Sequence, residues 1–305
     1  MPRGNYFTAL ALIFISLLLN TNRLVSFGEN ETHRNPREEH SLKILSWNIY
    51  MLPYGSLING NVKRAKAIAT QIAKYDYDIV VFEEAFDRQA RDILRKVLIN
   101  YFPYNYGPAN KRPYSFRINS GIWVFSKIPL QSLSEIEFQT CYGIDKIARK
   151  GAVLLEGIWH EQRFQLICTH LQANSPDHIR YQQCMEIKEK LLGNYAVENV
   201  PQIICGDFNI EIDDQKNYHS MLTILDSDNG ILAGEIQTSY DEVDNELAQK
   251  KDGKKQLIDY ILIRNKQLVN NISRRILVLK EYKDKREFNL SDHYGIEASI
   301  QFKQN

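Results

Sequence analysis

The stretch Pro201-Gln-Ile-Ile-Cys205-Gly-Asp-Phe-Asn209 joins an apolar run to a polar end. The run has the length and composition of a buried β-strand. Because Asp207 and Asn209 are separated by one residue, their side chains point to the same side of an extended segment and can converge on one ligand. This pattern is typical of an active site at the end of a strand rather than of core packing.

Other apolar runs of the chain also end in polar side chains, although buried strands commonly end in turn residues such as Gly, Ser or Pro. These polar ends are Asn48, Glu83-Glu84, Thr169-His170 and Asp259, and Ser291-Asp292-His293 follows near the C-terminus. The repetition predicts that several strand ends contribute to one site.

The chain has 305 residues, of which 44% are hydrophobic. That is enough for one domain of about 250 residues with a sizeable core. Apolar residues recur at helical spacing in 62–74, 87–98 and 177–192, and strand-like runs include 121–125, 152–155 and 294–302. The periodicity predicts a mixed α/β domain.

The formal net charge of the chain is +1. Proteins that bind DNA by neutralising phosphates usually carry a basic surplus or stripe. The overall charge therefore disfavours nucleic acid as a partner.

The first 27 residues have the pattern of a secretory signal peptide: Arg3 precedes an apolar stretch over 6–19, which Asn20 ends. The alternative is an uncleaved N-terminal membrane anchor, although a spanning helix needs about 20 apolar residues. Residues 28–41 are charged and contain Pro36, which predicts a flexible linker. We expect a secreted protein whose catalytic domain covers 42–305.

The chain contains four cysteines, and their spacing does not resemble a zinc site. Cys168 and Cys205 lie within apolar strand-like runs, where a small buried thiol is the usual state. Cys141 and Cys184 could form a bridge in an exported protein, and the sequence leaves that pairing open.

The ordered polar motifs resemble the endonuclease/exonuclease/phosphatase superfamily over roughly Leu42 to Phe302. The motifs are Trp47-Asn48, Glu84, Thr169-His170, Gly206-Asp-Phe-Asn209, Asp259-Tyr260 and Ser291-Asp292-His293. Within this superfamily, the chain looks most like the neutral sphingomyelinases, including secreted bacterial sphingomyelinase C. That closer likeness is carried by Glu84-Ala-Phe-Asp87, Lys150-Gly151, Thr169-His-Leu-Gln-Ala173 and Arg180-Tyr-Gln-Gln183. The resemblance implies a DNase I-like four-layer α/β sandwich, with two stacked, mostly antiparallel sheets flanked by helices.

The resemblance implies a Mg²⁺ site with Glu84 as its carboxylate ligand. Hard oxygen ligands suit Mg²⁺, which one or two carboxylates commonly hold together with water and substrate phosphate. Glu83 is the adjacent alternative, and Glu84 is preferred because Glu84-Ala-Phe-Asp87 matches the Glu-x-Phe-Asp of the family. Asn48 and Asp292 are expected on the metal side of the site.

The same resemblance assigns the acid-base residues. His293 is the expected general base, oriented by Asp259. Asp207 would orient the attacking water and Asn209 would donate to a non-bridging phosphate oxygen. His170 would donate to the phosphate or to the departing alkoxide. No covalent nucleophile is indicated, because phosphoryl transfer depends mainly on positioning and charge stabilisation.

Substrate contacts are expected from Asn119 and Tyr114, by resemblance. Aromatic and basic residues interleave between Tyr101 and Trp123. This segment could form a choline-contacting or membrane-facing rim, could stack single-stranded bases, or could pack partly in the core. Cell-lysing relatives carry an aromatic-tipped hairpin just before the final Asp-His, whereas the segment 277–289 here has Tyr282 and Phe288 among Lys and Glu. By resemblance, membrane insertion at this segment is not predicted.

Taken with the resemblance, the sequence predicts a monomeric, Mg²⁺-dependent phosphodiesterase that hydrolyses membrane sphingomyelin to ceramide and phosphocholine. A secreted DNase I-like nuclease or a phosphoinositide phosphatase would use the same catalytic residues. A non-catalytic membrane-binding module of the same fold is a further alternative.

Overall fold

The computed structural model describes residues 40–53, 60–113, 115–248, 252–283 and 285–303. The predicted signal peptide, the linker up to residue 39, and Tyr114 lie outside the described residues. The predicted domain boundaries at 27 and 41 therefore stay predictions. Among the described residues, no helix is both long and apolar enough to cross a membrane.

The described chain alternates strands and helices, as the periodicity predicts. The strands are β1 Leu42–Met51, β2 Ile79–Ala85, β3 Tyr104–Tyr106, β4 Trp123–Ser126, β5 Leu130–Glu137, β6 Gly151–Trp159, β7 Gln162–His170, β8 Gln202–Asp207, β9 Leu232–Ala233, β10 Tyr240–Asp241, β11 Lys255–Gln256, β12 Asp259–Arg264, β13 Val269–Leu277, β14 Lys280–Lys283, β15 Arg286–Asn289 and β16 Gly295–Phe302. The α-helices are α1 Asn61–Ile72, α2 Arg88–Leu98, α3 Asp177–Ile187, α4 Gly193–Tyr195 and α5 Gln215–Leu225.

Two mixed sheets carry most of these strands. The first has seven strands in the order β3-β4-β2-β1-β16-β13-β9, and the second has five in the order β12-β8-β7-β6-β5. Only β1–β2, β9–β13 and β7–β8 pair in parallel in these two sheets. The predicted stacked, mostly antiparallel architecture is confirmed.

Side chains on the two faces of the first sheet pack into different layers of the fold. On β1, Ile44 belongs to the core cluster that includes the second sheet, while Leu45 and Trp47 pack with the helical cluster. Successive side chains of a strand point to opposite faces, so each face of the first sheet acquires its own apolar surface. Ile68 of α1 and Leu94 of α2 cover the outer face.

Helices also cover the second sheet. Ile187 of α3 and Met221 and Leu225 of α5 belong to the cluster that contains Leu166 and Ile204 of this sheet. With α1 and α2 on the other side, the predicted four-layer sandwich is confirmed.

The predicted helices at 62–74 and 87–98 differ from α1 and α2 by at most two residues at each end. Asp87 begins α2 because its carboxylate accepts a hydrogen bond from the Ala90 amide at 3.1 Å. The helix predicted over 177–192 is α-helical only as far as Ile187 and continues as a π-helical turn, Lys188–Leu192. Hydrophobic spacing does not distinguish these helix types over so short a segment.

All four cysteines are free in the structure. The Sγ atoms of Cys168 and Cys205 lie 4.0 Å apart across the parallel strands β7 and β8. Cys184 is fully buried on α3, and Cys141 is half-buried and unbridged. The Cys141–Cys184 disulfide that the sequence left open is therefore not formed in the structure.

Candidate active site

Three adjacent strands of the second sheet bring three predicted residues to one level. His170 of β7 pairs in register with Asp207 of β8, which pairs in register with Asp259 of β12. All three side chains are almost completely buried. The strand ends therefore place an imidazole and two carboxylates side by side, as the repeated polar ends predict.

The first sheet contributes to the same site from the opposite side. Asn48 of β1 donates from Nδ2 to Asp207 Oδ2 at 3.1 Å, and its Oδ1 accepts from the Tyr50 amide at 3.1 Å. Since Asn48 and Asp207 belong to different sheets, their hydrogen bond joins the two sheets at the site.

The turn into Asp207 requires glycine at position 206. Gly206 has φ +140°, and a Cβ added to it would lie 1.8 Å from the carbonyl oxygen of Thr169. The two parallel strands approach closely because residue 206 has no side chain.

We predict that Gly206→Ala destabilises the fold by at least about 3 kcal/mol, since both the backbone conformation and the contact are unfavourable. Gly234→Ala is the matched control, because Gly234 has φ +93° but open space around it. Chemical denaturation measures both free energies of unfolding. Equal losses in the two variants would show that the close approach to Thr169 contributes nothing.

His293 forms a buried pair with Asp259. The Nδ1 atom of His293 lies 2.9 Å from Asp259 Oδ2, and Trp47 donates from Nε1 to the His293 carbonyl at 2.9 Å. Burial alone would lower the pKa of His293, but Asp259 and Asp207 outweigh it and raise that pKa well above its ordinary value. Asp259 therefore orients the imidazole through Nδ1, and the other ring nitrogen, Nε2, lies 3.7 Å from Asp207 Oδ2.

Glu84 and Glu83 occupy different environments. Glu84, with φ +55°, lines the cleft, and its buried Oε2 has no hydrogen-bond partner. Glu83 is fully buried, accepts a hydrogen bond from Ser46 Oγ at 2.8 Å and also has an unpartnered Oε2, but it does not line the described cleft. Burial raises the pKa of Glu83 well above its ordinary value. The geometry thus favours Glu84 over Glu83 as the carboxylate that faces a ligand.

Asp292 lies on the loop before β16 and also lines the cleft. Burial raises the pKa of Asp292 to about 7, against the opposing effect of His293. Ser291 fixes this loop by donating from Oγ to the Asn48 carbonyl at 2.6 Å.

Arg64 of α1 is a buried residue of the site that the sequence did not indicate. Its guanidinium donates to the carbonyls of Ile49 at 2.9 Å and Leu290 at 2.8 Å, and it also donates to Tyr50 O. It thereby connects the end of β1 to the loop that carries Asp292. A buried Arg at helical spacing has no sequence signature of its own.

His170 contacts Lys150, which the sequence indicated only as part of the motif Lys150-Gly151. Lys150 Nζ lies 3.0 Å from His170 Nε2 and donates to the Leu171 carbonyl at 2.9 Å. Lys150 also lies 3.1 Å from Asp145 Oδ2. Burial, and then Lys150, lower the pKa of His170 well below its ordinary value. Because an ammonium has no acceptor, neutral His170 accepts the proton of Lys150 at Nε2.

The remaining predicted residues take different positions. Asn209, with φ +52°, lines the cleft and donates from Nδ2 to the Leu171 carbonyl at 3.2 Å. Asn119 Oδ1 accepts from the Gly121 amide at 2.9 Å, which stabilises a turn beside the site. Its role in substrate binding stays a prediction, as does that of Tyr114.

These side chains surround an open cleft of about 950 Å³. Acidic side chains outnumber basic ones along its described wall. The acidic residues are Glu84, Asp145, Asp207, Glu211, Asp214, Glu242, Asp252 and Asp292, and the basic ones are Lys150, Arg180 and Lys254. The cleft is therefore suited to a cation or to a ligand that carries positive charge.

Two parts of the site offer ligand atoms to a divalent cation. The first is the buried, unpartnered Oε2 of Glu84. Ligand atoms of Asp207, Asp259 and His293 also lie within 4.8 Å of one another. Because His293 and Asp259 already bind each other, Glu84 is the better ligand for Mg²⁺, which prefers carboxylates completed by water.

The fold and this site define a member of a known family. The chain matches the sequence profile of the Endonuclease/Exonuclease/phosphatase family over residues 45–293. It belongs to that family.

Curated relatives carry more specific names. The chain is 28% identical over 248 residues to "Sphingomyelinase C 2" of Leptospira interrogans serogroup Icterohaemorrhagiae serovar Lai, a match of 72% of this chain and 39% of the relative. It is 26% identical over 326 residues to "Sphingomyelinase C" of Bacillus cereus, covering 95% of this chain and 97% of the relative. The chain spans about two fifths of the length of the Leptospira relatives that it matches.

Solved structures share the fold. A beta toxin structure from Staphylococcus aureus superposes with a TM-score of 0.74 at 25% identity, covering 84% of this chain and 99% of the toxin. A mutant of that toxin with bound magnesium ions gives a TM-score of 0.73 at 24% identity, covering 85% and 99%.

Proposed function

We propose that this protein is an exported, Mg²⁺-dependent phosphodiesterase that hydrolyses sphingomyelin to ceramide and phosphocholine. The names of the relatives and the His293–Asp259 pair beside a carboxylate-rich cleft support this proposal. The signal-like pattern of residues 1–27 supports export.

In the proposed mechanism, His293 removes a proton from a water molecule while Asp259 holds the imidazole by its Nδ1 atom. The water oxygen attacks phosphorus, and the bond between phosphorus and the ceramide oxygen breaks. Asp207 orients the water, and Asn209 donates to a phosphate oxygen. His170 gives a proton to the departing alkoxide and recovers one from the ammonium of Lys150, whose Nζ lies 3.0 Å from His170 Nε2.

Glu84 would hold the Mg²⁺ ion, with Asn48 and Asp292 beside it. The ion would neutralise charge on the phosphate oxygens as the leaving group departs. Burial raises the pKa of Glu84, and Lys150 and His293 oppose that effect. A bound cation would favour the ionised carboxylate in the same way.

The negative charge of the cleft wall is the main observation that favours a phosphocholine headgroup in the substrate. Beyond His293, the cleft is lined by Tyr240, whose ring centroid lies 5.1 Å from that of His293, and by Glu211 and Glu242. Carboxylates and an aromatic face suit the quaternary ammonium of choline. The same wall repels a polyanion such as DNA or a phosphorylated inositol.

We predict that the purified protein with Mg²⁺ releases phosphocholine from sphingomyelin vesicles and cleaves plasmid DNA or a phosphoinositide at least about 100-fold more slowly, since a nuclease gains its affinity from basic contacts. Phosphocholine release, plasmid nicking and phosphate release are measured in parallel, with and without EDTA. Efficient nicking without phosphocholine release would replace this function with a nuclease and leave the site unchanged. No hydrolysis of any substrate would favour the non-catalytic module.

A further inference from the structure

Two large apolar side chains are exposed at one rim of the active-site cleft. Phe116 is fully exposed and Ile147 is 52% exposed. Both line the same cleft, together with the less exposed Ile118. We call Phe116 and Ile147 the apolar lip.

The lip is held rigidly by the backbone beneath it. The Ile118 amide donates to the Ile147 carbonyl at 3.0 Å, and Ile118 pairs in parallel with Ala148. Arg117 joins the two segments by donating to the carbonyls of Lys146 at 2.8 Å and Ala148 at 3.1 Å. Because these bonds fix both segments, the apolar side chains are held out in water rather than folded onto the surface.

Basic side chains lie close to the lip along the chain. Lys111 and Lys146 are exposed, and the Arg112 side chain is 64% exposed while it pairs with Glu137 at 3.2 Å. Long basic side chains beside exposed aromatic and aliphatic residues are typical of a surface that lies at the headgroup level of a bilayer. There the apolar groups enter the acyl boundary and the cations contact lipid phosphates.

We propose that the apolar lip inserts into a zwitterionic lipid surface and holds the mouth of the cleft against the membrane. The inference rests on the proposed function, since the cleft would then receive its diester from the bilayer beside the lip. A second copy of the chain is a poorer occupant, because two side chains fall far short of the roughly 1,200 Å² that stable protein interfaces bury. A second copy on this rim would also cover the cleft.

A rival contact surface is the β14–β15 hairpin. Tyr282 is 71% exposed there and Phe288 is 41% exposed. The hairpin residues do not line the described cleft, whereas the lip does. Binding through the lip would turn the mouth of the cleft toward the bilayer. Binding through the hairpin alone would not fix the cleft in that orientation.

The test is co-sedimentation of the full-length protein in Mg²⁺ with phosphatidylcholine vesicles for binding, and with vesicles of phosphatidylcholine and sphingomyelin in which hydrolysis is also followed. These vesicles present the phosphocholine headgroup without net charge. Phe116→Ser combined with Ile147→Ser is expected to lower the partition coefficient at least about tenfold, the loss expected for two buried apolar side chains. The matched control combines Ile231→Ser with Ile236→Ser, because these residues are 85% and 42% exposed away from the cleft. The control is expected to partition like the wild type.

A second variant keeps the test valid if the double variant does not fold. Phe116→Trp places a fluorophore on the lip, and its emission is expected to shift to the blue and to be quenched by brominated lipid. Ile231→Trp is expected to show neither effect.

The proposal is overturned if the wild type does not bind vesicles, if the lip variants bind like the wild type, or if Tyr282→Ser alone removes binding. A lip-dependent change in sedimentation coefficient without vesicles would indicate self-association and would also overturn it. If the protein releases phosphocholine from sphingomyelin but the lip variants bind vesicles as well as the wild type, the proposed function stands and the role of the lip is rejected. If binding depends on the lip but no substrate is hydrolysed, the proposed function is rejected and the role of the lip in membrane binding stands.

Discussion

Replacing Glu84 with glutamine is expected to remove Mg²⁺-dependent turnover by a factor of at least about 10³ while the fold survives. The carboxylate faces the cleft with an unpartnered, buried Oε2, and an amide cannot supply the charge that holds the ion. The wild type should also gain thermal stability with Mg²⁺, since a ligand that binds only the folded state stabilises it by about 2.7 kcal/mol at 100 times its dissociation constant. The Glu84→Gln variant should lose that gain.

Glu83→Gln is the matched control because it makes the same chemical change one residue away. Burial raises the pKa of Glu83 well above its ordinary value, which favours the neutral carboxyl form, and an amide resembles that form in shape and can still accept the hydrogen bond from Ser46. Glu83 also does not line the described cleft. Activity and the Mg²⁺ response should therefore persist. If Glu83→Gln abolishes turnover while Glu84→Gln does not, the choice between the two carboxylates is wrong.

The layout of the site was predictable because β-strands deliver side chains with a fixed period. Polar residues at the ends of apolar runs meet wherever those strands are neighbours, and the register of β7, β8 and β12 makes them neighbours. The sandwich itself was implied by the order of the motifs rather than by periodicity. Periodicity alone predicts only the mixed α/β class.

Other parts of the site depend on tertiary contacts that no local pattern encodes. Arg64 reaches the Leu290 carbonyl across 226 residues, and Trp47 reaches the His293 carbonyl across 246. Lys150 had a signal, since it stands next to Gly151 at the start of an apolar run, but its contact with His170 requires the pairing of β6 with β7. A long-range contact of this kind follows from strand order, which the sequence does not specify by itself.

The aromatic segment shows the same limit. Phe102 and Trp123 are buried, whereas Phe116 is fully exposed. Composition predicted a rim that is partly core, but it does not distinguish the rings that pack in the core from the ring that faces water. The pairing of Ile118 with Ala148 is a tertiary contact that fixes the segment beside Phe116. The distinction matters for function, because the exposed ring is the one that can contact a membrane.

The pairing of His293 with Asp259 leads to a prediction of comparable size. His293→Ala and Asp259→Asn are each expected to lower kcat by about 10²- to 10⁴-fold, the usual contribution of a positioned general base. The two residues act through one hydrogen bond of 2.9 Å, so the double variant should lose little more than the worse single variant. Additive losses would show that Asp259 does not act through His293.

The pH dependence of Asp259→Asn separates orientation from charge. His293 must be neutral to accept a proton, so activity rises with pH through its pKa, which Asp259 and Asp207 hold well above the ordinary value. Asp259→Asn removes one of these negative charges, and the pKa of His293 falls. The acidic limb of kcat against pH should therefore move to lower pH in this variant even though its maximum is smaller. An acidic limb that stays in place or moves upward would mean that a different group titrates, and Asp207, whose pKa burial raises to about 6, would be the first to test.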